Sequence, residues 1–168
     1  MSIAQSILPE FDQEMTNTRK VLERVPEDKF SYKPDPKSMT MGRLATHVAE
    51  MPSWGTFTME MDSLDLKGDF PPFKPTNREE LLAGFDKNIT SARAAIAAAS
   101  DEQFMQPWSL KMGDHVIFTM PRVAVIRSMV MNHIIHHRAQ LTVYLRLTGV
   151  PVPGMYGPSA DEQQSASA

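Results

Sequence analysis

Three of the five histidines in this chain lie in one short run, His133-Ile134-Ile135-His136-His137. If the run is helical, His133 and His137 are about one turn apart, so both imidazoles leave the same face of the helix. Imidazole nitrogens are common ligands of divalent metal ions, and two at this spacing can bind a single ion. His136 lies three residues from His133, which is also a step compatible with metal binding. The spacing alone therefore leaves His136 and His137 as alternative partners of His133.

A third ligand has to come from another element, and His47 is the best candidate. It lies between Leu44 and Val48 on the apolar face of an earlier predicted helix, and metal sites in helical bundles are built from side chains on facing helices. His115 follows Asp114 in a predicted loop or hairpin, and we expect it to be exposed. The alternative for all of these histidines is structural, because a histidine on an apolar face is more often a hydrogen-bonded core residue than a ligand.

Two further polar residues could take part in chemistry at such a site. Glu50 lies about one turn beyond His47, where it could accept a proton or orient a ligand imidazole; a surface glutamate is the alternative. Gln140 lies about two turns past His133, on the inward stripe that a uniform helix of about 100° per residue draws from Ile126 through His133. There it could contact the metal ligands or the substrate, or form a structural bond between helices.

Several other large side chains are expected to be structural. Tyr144 is predicted to be a core residue, with contact to a cavity as the alternative. Arg138 is predicted to form a salt bridge or a dimer contact. Trp54, Phe57 and Trp108 are predicted to lie in the core, with the wall of a pocket as the alternative.

These residues lie on four predicted helices, each marked by apolar residues at three- and four-residue steps. The first covers about residues 3–25 and is ended by Pro26. The second is capped by Ser38 or Thr40 and is interrupted at Pro52. The third begins after Asn77, with Glu80 three residues on, and fades at residue 100. The fourth covers about 28 residues from Pro121 to Gly149.

The segments between these helices read as loops. Residues 68–75, with three prolines, predict a surface loop, and residues 108–118 predict a small hairpin or an irregular loop around Gly113-Asp114. The small polar residues 159–168 predict a disordered C-terminal tail. We therefore expect an all-α four-helix bundle as a single domain over residues 1–158.

Composition narrows the classes of function. The chain has 168 residues, a net charge of −3 and scattered basic residues, which argues against a nucleic-acid or anionic membrane surface. It has no cysteine, so disulfides, thiolate zinc sites and a cysteine nucleophile are excluded. No signal peptide and no apolar stretch of membrane-spanning length is recognisable, and a cytoplasmic location is expected.

The sequence resembles the DinB/YfiT-like metal-binding four-helix bundles over nearly its whole length. Four segments carry the resemblance, and the last is the most specific: Arg24-Val25-Pro26-Glu27-Asp28-Lys29-Phe30, Lys37 to Gly42, Leu44 to Glu50, and Asn132 to Gln140 with the following Tyr144 to Pro151.

The resemblance implies that His47, His133 and His137 are the metal ligands. It also implies zinc or nickel as the ion, with iron or manganese as alternatives, and a homodimer. Relatives include thiol-dependent transferases and proteins similar to metal-dependent hydrolases. The expected function is therefore a metal-dependent enzyme that acts on a small molecule by thiol-dependent transfer, with a low-molecular-weight thiol, or by hydrolysis, in detoxification or a stress response. The alternative is a non-catalytic metal-binding or interaction module.

Overall fold

The computed structural model describes residues 1–165 and shows a mostly helical chain with one small sheet. The elements in chain order are α1 (Ile3–Leu22), a 3-10 helix (Glu27–Lys29), α2 (Met41–Glu50), α3 (Ser53–Glu60), β1 (Ser63–Asp65), α4 (Arg78–Ala98), α5 (Asp101–Met105), β2 (Pro107–Met112), β3 (His115–Pro121), α6 (Arg122–Val125), a π-helical segment (Ile126–Met131), α7 (Asn132–Leu147) and α8 (Ala160–Ser165).

The predicted helix starts agree with the capping bonds in the structure. The side chain of Thr40 accepts a hydrogen bond from the backbone N–H of Arg43 at 3.2 Å, so Thr40 rather than Ser38 caps α2. Asn77 accepts from the N–H of Glu80 at 2.9 Å and caps α4. Pro52 lies between α2 and α3, where the sequence predicted an interruption. The first helix ends at Leu22, three residues before the predicted end.

The main core lies between the long helices. α1 and α2 each pack against both α4 and α7. The largest side chains that this arrangement buries completely are apolar, as expected if removal of apolar surface from water drives the packing. Those in the main core are Phe11, Leu22, Met41, Leu44, Met51, Leu81, Phe85, Ile96, Phe104, Ile126 and Met131.

The small sheet has the order β1-β2-β3. β2 and β3 form the predicted hairpin, and Gly113 in its turn has a φ of 63°, a left-handed conformation that suits glycine. β1 pairs in parallel with β2, with Leu64 opposite Leu110. The sequence did not predict β1, because three residues are too few to show a strand pattern. Together with Trp108 and Val125, the two leucines form a second, smaller core.

The last long helix is not regular. The π-helical segment over Ile126–Met131 separates α6 from α7, and its wider turns shift the phase of the residues before it relative to those after it. The fully buried residues after the shift include Ile134 and Leu141. The predicted inward stripe, which assumes a uniform helix from Ile126 through His133 to Gln140, is therefore wrong beyond the π-helical segment. His133 and His137 lie at the edge of the buried face, and each is half-buried.

Two other predictions need correction or qualification. The all-α four-helix bundle is confirmed only as a mostly helical fold, because the three-stranded sheet belongs to it as well. Residues 159–168 were expected to be disordered, but residues 160–165 form α8. Asp161 in this helix accepts a hydrogen bond from Arg146 at 2.7 Å. Residues 166–168 lie outside the described residues. Within residues 1–165, none of the helices combines the length and apolar character needed to cross a membrane.

Candidate metal centre

Three histidines from two helices meet at one point. His47 comes from the last turn of α2, and His133 and His137 come from successive turns of α7. One nitrogen of each ring lies within 4.8 Å of a nitrogen of the other two. The ring centroids of His47 lie 5.4 Å from His133 and 4.6 Å from His137. The structure thus brings together the three residues that the sequence singled out.

The closest pair of atoms in this cluster joins the two α7 histidines. The Nε2 atoms of His133 and His137 are 2.9 Å apart. Two nitrogens that bind a common ion at about 2.0–2.1 Å are separated by roughly 2.9–3.4 Å, depending on the angle at the ion. The observed separation is therefore compatible with a shared ion.

The hydrogen bonds on the far side of these rings determine where their protons lie. The Nδ1 of His137 is 2.7 Å from the Oε1 of Gln140, which is an acceptor. A neutral His137 therefore carries its proton on Nδ1 and presents a lone pair at Nε2, toward His133.

On His133, no comparable hydrogen bond determines where the proton lies. The Nδ1 of His133 is buried and forms no hydrogen bond of regular geometry among residues 1–165. Burial lowers the pKa of His133, as do His137 and His136, whereas the backbone carbonyl of Met129 acts in the opposite direction and favours a proton on the ring. If that proton lies on Nδ1, two lone pairs face each other across 2.9 Å. A cation bound by both Nε2 atoms removes this repulsion.

His47 is held in its neutral, metal-competent form. Burial is the main cause of a lowered pKa at His47, and His137, His133 and Arg43 add to it because a positive charge on His47 would lie near theirs. Together they bring the pKa of His47 to about 4. A ligand imidazole has to be unprotonated to bind a metal, so this environment keeps His47 available through the mildly acidic range. The set of three neutral imidazoles fits one divalent ion.

The other two histidines lie outside this cluster. His136 is exposed, although its ring is 4.9 Å from that of His137. His115, on β3, is exposed as expected. Of the two alternatives that the spacing left open, the structure brings His137 rather than His136 together with His47 and His133.

Of the remaining candidate residues, Glu50 and Gln140 lie near the histidines, whereas Tyr144 lies in the core. Glu50 is half-buried and accepts a hydrogen bond from the Arg43 guanidinium at 3.1 Å. Gln140 is exposed, not inward-facing as predicted, yet it contacts His137. Tyr144 is a core residue whose hydroxyl donates to the backbone carbonyl of Met39.

Arg138 forms one of the predicted types of contact, a salt bridge. Its guanidinium is almost completely buried and lies 2.7 Å from the carboxylate of Glu14 on α1. It also donates to the hydroxyl of Tyr156, which in turn donates to Glu14. This cluster fixes the C-terminal segment against α1 and α7 rather than contributing to the histidine site.

A cavity of about 820 Å³ opens beside His47. α2, α3, the segment after β1 and α4 contribute its walls. Trp54 and Phe57, which the sequence offered as pocket residues only as an alternative to core residues, both line it. Trp108 does not; it is fully buried in the smaller core.

Sequence reasoning missed the residues that α4 and the 68–75 loop bring to this cavity. Lys87 and Asn88 come from α4, and Phe70 and Phe73 come from the loop. The α4 pattern indicated only which residues face the core. The loop had no periodicity from which its side-chain directions could be read.

Comparison with known proteins places the chain in a family. A family model described as the DinB family matches residues 1–167. The uncharacterized protein YrdA of Bacillus subtilis (strain 168) is 23% identical over 155 residues, which cover 92% of this chain and 89% of that protein.

Solved structures agree. A DinB-like protein from Bacillus cereus ATCC 10987 superposes with a TM-score of 0.68 at 25% identity, and the match covers 90% of this chain and 97% of that one. The DinB-like protein YjoA from Bacillus subtilis also gives a TM-score of 0.68, at 20% identity, over 87% of this chain and 95% of that one. Since the family model spans nearly the whole sequence, this chain belongs to the DinB family.

Proposed function

We propose that the chain binds one divalent metal ion through His47, His133 and His137 and acts on a small molecule in the adjoining cavity. The observation that carries the proposal is that His47 belongs both to the cluster of three imidazoles and to the lining of the cavity. Three protein ligands leave coordination positions open, which is typical of catalytic rather than structural sites.

The resemblance favours zinc or nickel, and imidazole also suits iron. When bound, such an ion lowers the pKa of a water molecule or a thiol and so supplies a nucleophile near neutral pH. The reaction we propose is transfer of a low-molecular-weight thiol to an electrophile, or hydrolysis. A role in detoxification or in a stress response is consistent with either reaction.

Other side chains near the three histidines would transfer a proton, orient a ligand ring and contact the substrate. Glu50 lies on the cavity wall one turn from His47 and can accept a proton from the attacking group, while Arg43 holds its carboxylate in place. Gln140 orients the ring of His137 through Nδ1. Trp54 and Phe57 would contact the apolar part of the substrate and exclude water from it.

The experiment begins with metal content. Protein without a histidine tag is purified, and its bound metals are measured by elemental mass spectrometry. We expect close to one divalent ion per chain in wild type, very little in His47→Ala, His133→Ala and His137→Ala, and wild-type content in the matched control His136→Ala. Equal trace amounts in all variants would show that the histidines are only packed together.

Activity is then measured on metal-loaded and metal-stripped protein. Glutathione, bacillithiol and mycothiol are each tested with 1-chloro-2,4-dinitrobenzene, and p-nitrophenyl acetate is tested for hydrolysis. We expect turnover that requires the metal and that falls in Glu50→Gln without a change in metal content. Loaded metal with no turnover of any thiol or ester would contradict the enzymatic part of the proposal.

One observation favours the alternative, a metal-binding module without catalysis. Of the three histidines, His47 lines the cavity, whereas His133 and His137 are not part of its wall. If substrates cannot reach the ion from the cavity, the cavity would serve binding alone. In that case the metal-loaded protein binds small molecules without converting them.

A further inference from the structure

The apolar wall of the cavity beside His47 is open to solvent. Trp54 and Phe57 are half-buried, and Leu66 and Phe70 expose 42% and 45% of their surfaces although both are large and apolar. The rings of Phe57 and Phe70 lie 5.9 Å apart and are tilted by 39°. Apolar surface gathered in a concave site is typical of a site for a small molecule with an apolar body.

The charges in the same lining do not cancel. Arg43 and Glu50 form an ion pair at 3.1 Å, so they largely neutralise each other. Lys87, on α4, also lines the cavity, and in the part of the chain that the structure describes its ammonium has no ion pair. The charged residues of the lining therefore leave one excess positive charge, in a chain whose net charge is −3.

The sequence around Lys87 leaves this charge uncompensated on its own helix. The residues one turn to either side on α4 are Ala83, Gly84, Thr90 and Ser91. None of them is acidic, so no carboxylate is available at the helical spacings where ion pairs form.

The position of Lys87 relative to the histidine cluster is fixed by its neighbour. The side-chain N–H of Asn88 donates to the backbone carbonyl of Ala49 at 2.9 Å. This bond joins α4 to the end of α2, two residues after His47. α2 and α4 also pack directly against each other, so Lys87 and His47 lie on connected parts of the same cavity lining.

We propose that this cavity binds small carboxylates with an apolar or aromatic body, and that Lys87 is the residue that selects for the anionic group. The proposal rests on the proposed function for the role of the site, since the same cavity would hold the substrate. The apolar body lies against Trp54, Phe57 and Phe70, and the carboxylate accepts hydrogen bonds from the Lys87 ammonium. A carboxylate fits because Lys87 offers a single, strongly hydrated point charge with several donors.

The test compares two probes of nearly equal size, 4-phenylbutyrate and 4-phenylbutan-1-ol. Binding is measured by calorimetry and by the fluorescence of Trp54, since the other tryptophan, Trp108, is fully buried away from the cavity. At low salt we expect the carboxylate to bind roughly 5- to 10-fold more tightly than the alcohol. The preference should shrink as salt is added, because Lys87 is exposed and its charge is screened.

Two lysine variants make the test specific. Lys87→Met keeps the length of the side chain and removes its charge, so it should abolish the preference while leaving the affinity for the alcohol nearly unchanged. Lys37→Met is the matched control, because Lys37 is exposed and does not line the cavity. In metal-stripped protein, equal affinities of wild type for the two probes, or a preference that survives in Lys87→Met, would overturn the proposal.

All titrations are carried out on both metal-loaded and metal-stripped protein. A carboxylate could also bind the ion itself, and the stripped protein removes that contribution. If wild type binds no metal but its preference for the carboxylate over the alcohol still depends on Lys87, the proposed function fails and this inference stands. If metal binds to the three histidines but the preference is absent or independent of Lys87, this inference fails and the metal site stands.

Discussion

The Oε1 of Gln140 lies 2.7 Å from the Nδ1 of His137, on the nitrogen opposite to the one that faces His133. This bond directs the lone pair of His137 into the cluster and fixes the orientation of the ring. Gln140 is exposed, so its contact with His137, rather than burial, is the feature that gives it a role.

Replacement of Gln140 should therefore weaken metal binding without affecting the fold. For Gln140→Ala we expect a loss of roughly 10-fold in metal affinity, the lower end of the effects known for such outer contacts. Affinity is measured by competition with a chromogenic chelator, and the melting temperature of the metal-free protein should stay close to that of wild type. Gln140→Glu retains an acceptor and should bind metal at least as well as wild type. An alanine variant with unchanged affinity would show that the bond has no effect on the site.

The lowered pKa of His47 should make the stability of the metal-free protein depend on pH. In the folded state the pKa is about 4, while in the unfolded state it is near the ordinary 6.5. Between these values the unfolded chain binds a proton that the folded chain does not, so stability rises with pH through this range and levels off above it. As the pH falls from 6.5 to 4, we expect a loss of about 1–2 kcal/mol from His47, less than the full shift implies because the ring is only half-buried.

The measurement is urea unfolding of metal-free protein at several pH values. His47→Gln removes the titrating group and should flatten this part of the profile, whereas His115→Gln, at an exposed position, should not. A wild-type profile that is already flat between pH 4 and 6.5 would contradict this account of His47.

The stability of the fold should depend on both partners of the buried ion pair between Arg138 and Glu14 being present. The two side chains are nearly inaccessible, and Arg138 also donates to the backbone carbonyl of Glu14 and the hydroxyl of Thr18. Removing one partner leaves a buried charge without compensation, which typically costs about 3–5 kcal/mol. We expect losses of this size for Arg138→Met and for Glu14→Gln, measured by denaturant unfolding.

The double variant provides the control for that prediction. With both charges gone, the double variant should lose less than half of the sum of the two single losses in unfolding free energy. Simple addition of the two single losses would show that the pair has no special coupling. Metal content should stay at the wild-type level throughout, since Arg138 and Glu14 form no hydrogen bond to any of the three histidines among the described residues.

The contact between Gly84 and Phe73 should control the loop wall of the cavity. A Cβ added at Gly84 would clash with the ring of Phe73, so the ring has to move away from α4. In Gly84→Ala we expect the helix to remain stable, since alanine favours helix by about 1 kcal/mol over glycine. Residues 68–75 should be cleaved faster in limited proteolysis, and binding of small molecules in the cavity should weaken by several-fold.

A second substitution tests whether Phe73 transmits this effect. Phe73→Ala should by itself accelerate cleavage of the loop. Adding Gly84→Ala to it should have little further effect, because the clashing ring is gone. If the two changes are additive instead, Gly84 acts by a route that does not involve Phe73.

Local features of the chain could be predicted from the sequence because their causes are local. Thr40 and Asn77 cap their helices through side-chain bonds to residues three positions on, Pro52 interrupts its helix through its own ring, and Gly113 permits the hairpin turn. The one-turn spacing of His133 and His137 likewise follows from helix geometry. The place of His47 on an apolar helical face made it the best candidate for the third ligand, and the resemblance favoured His137 over His136. The structure brings His47, His133 and His137 together.

Other features required the tertiary structure, since they join residues that are distant in sequence or depend on a departure from regular geometry. The π-helical segment after Ile126 rotates α7 relative to a uniform helix, and this moved Gln140 out to the surface while leaving it in contact with His137. The parallel pairing of β1 with β2 is likewise a long-range contact that no local pattern encodes.

The same distinction applies to the candidate site. By itself, the sequence determined which side chains could bind a metal ion, because ligand type and helical spacing are local properties. Only the packing of α4 and the 68–75 loop against α2 decided that the site has a cavity and that Lys87 faces it. The free energy of such packing depends on contacts across the whole fold, so neither the cavity nor its unbalanced charge could be read from the pattern of any single segment.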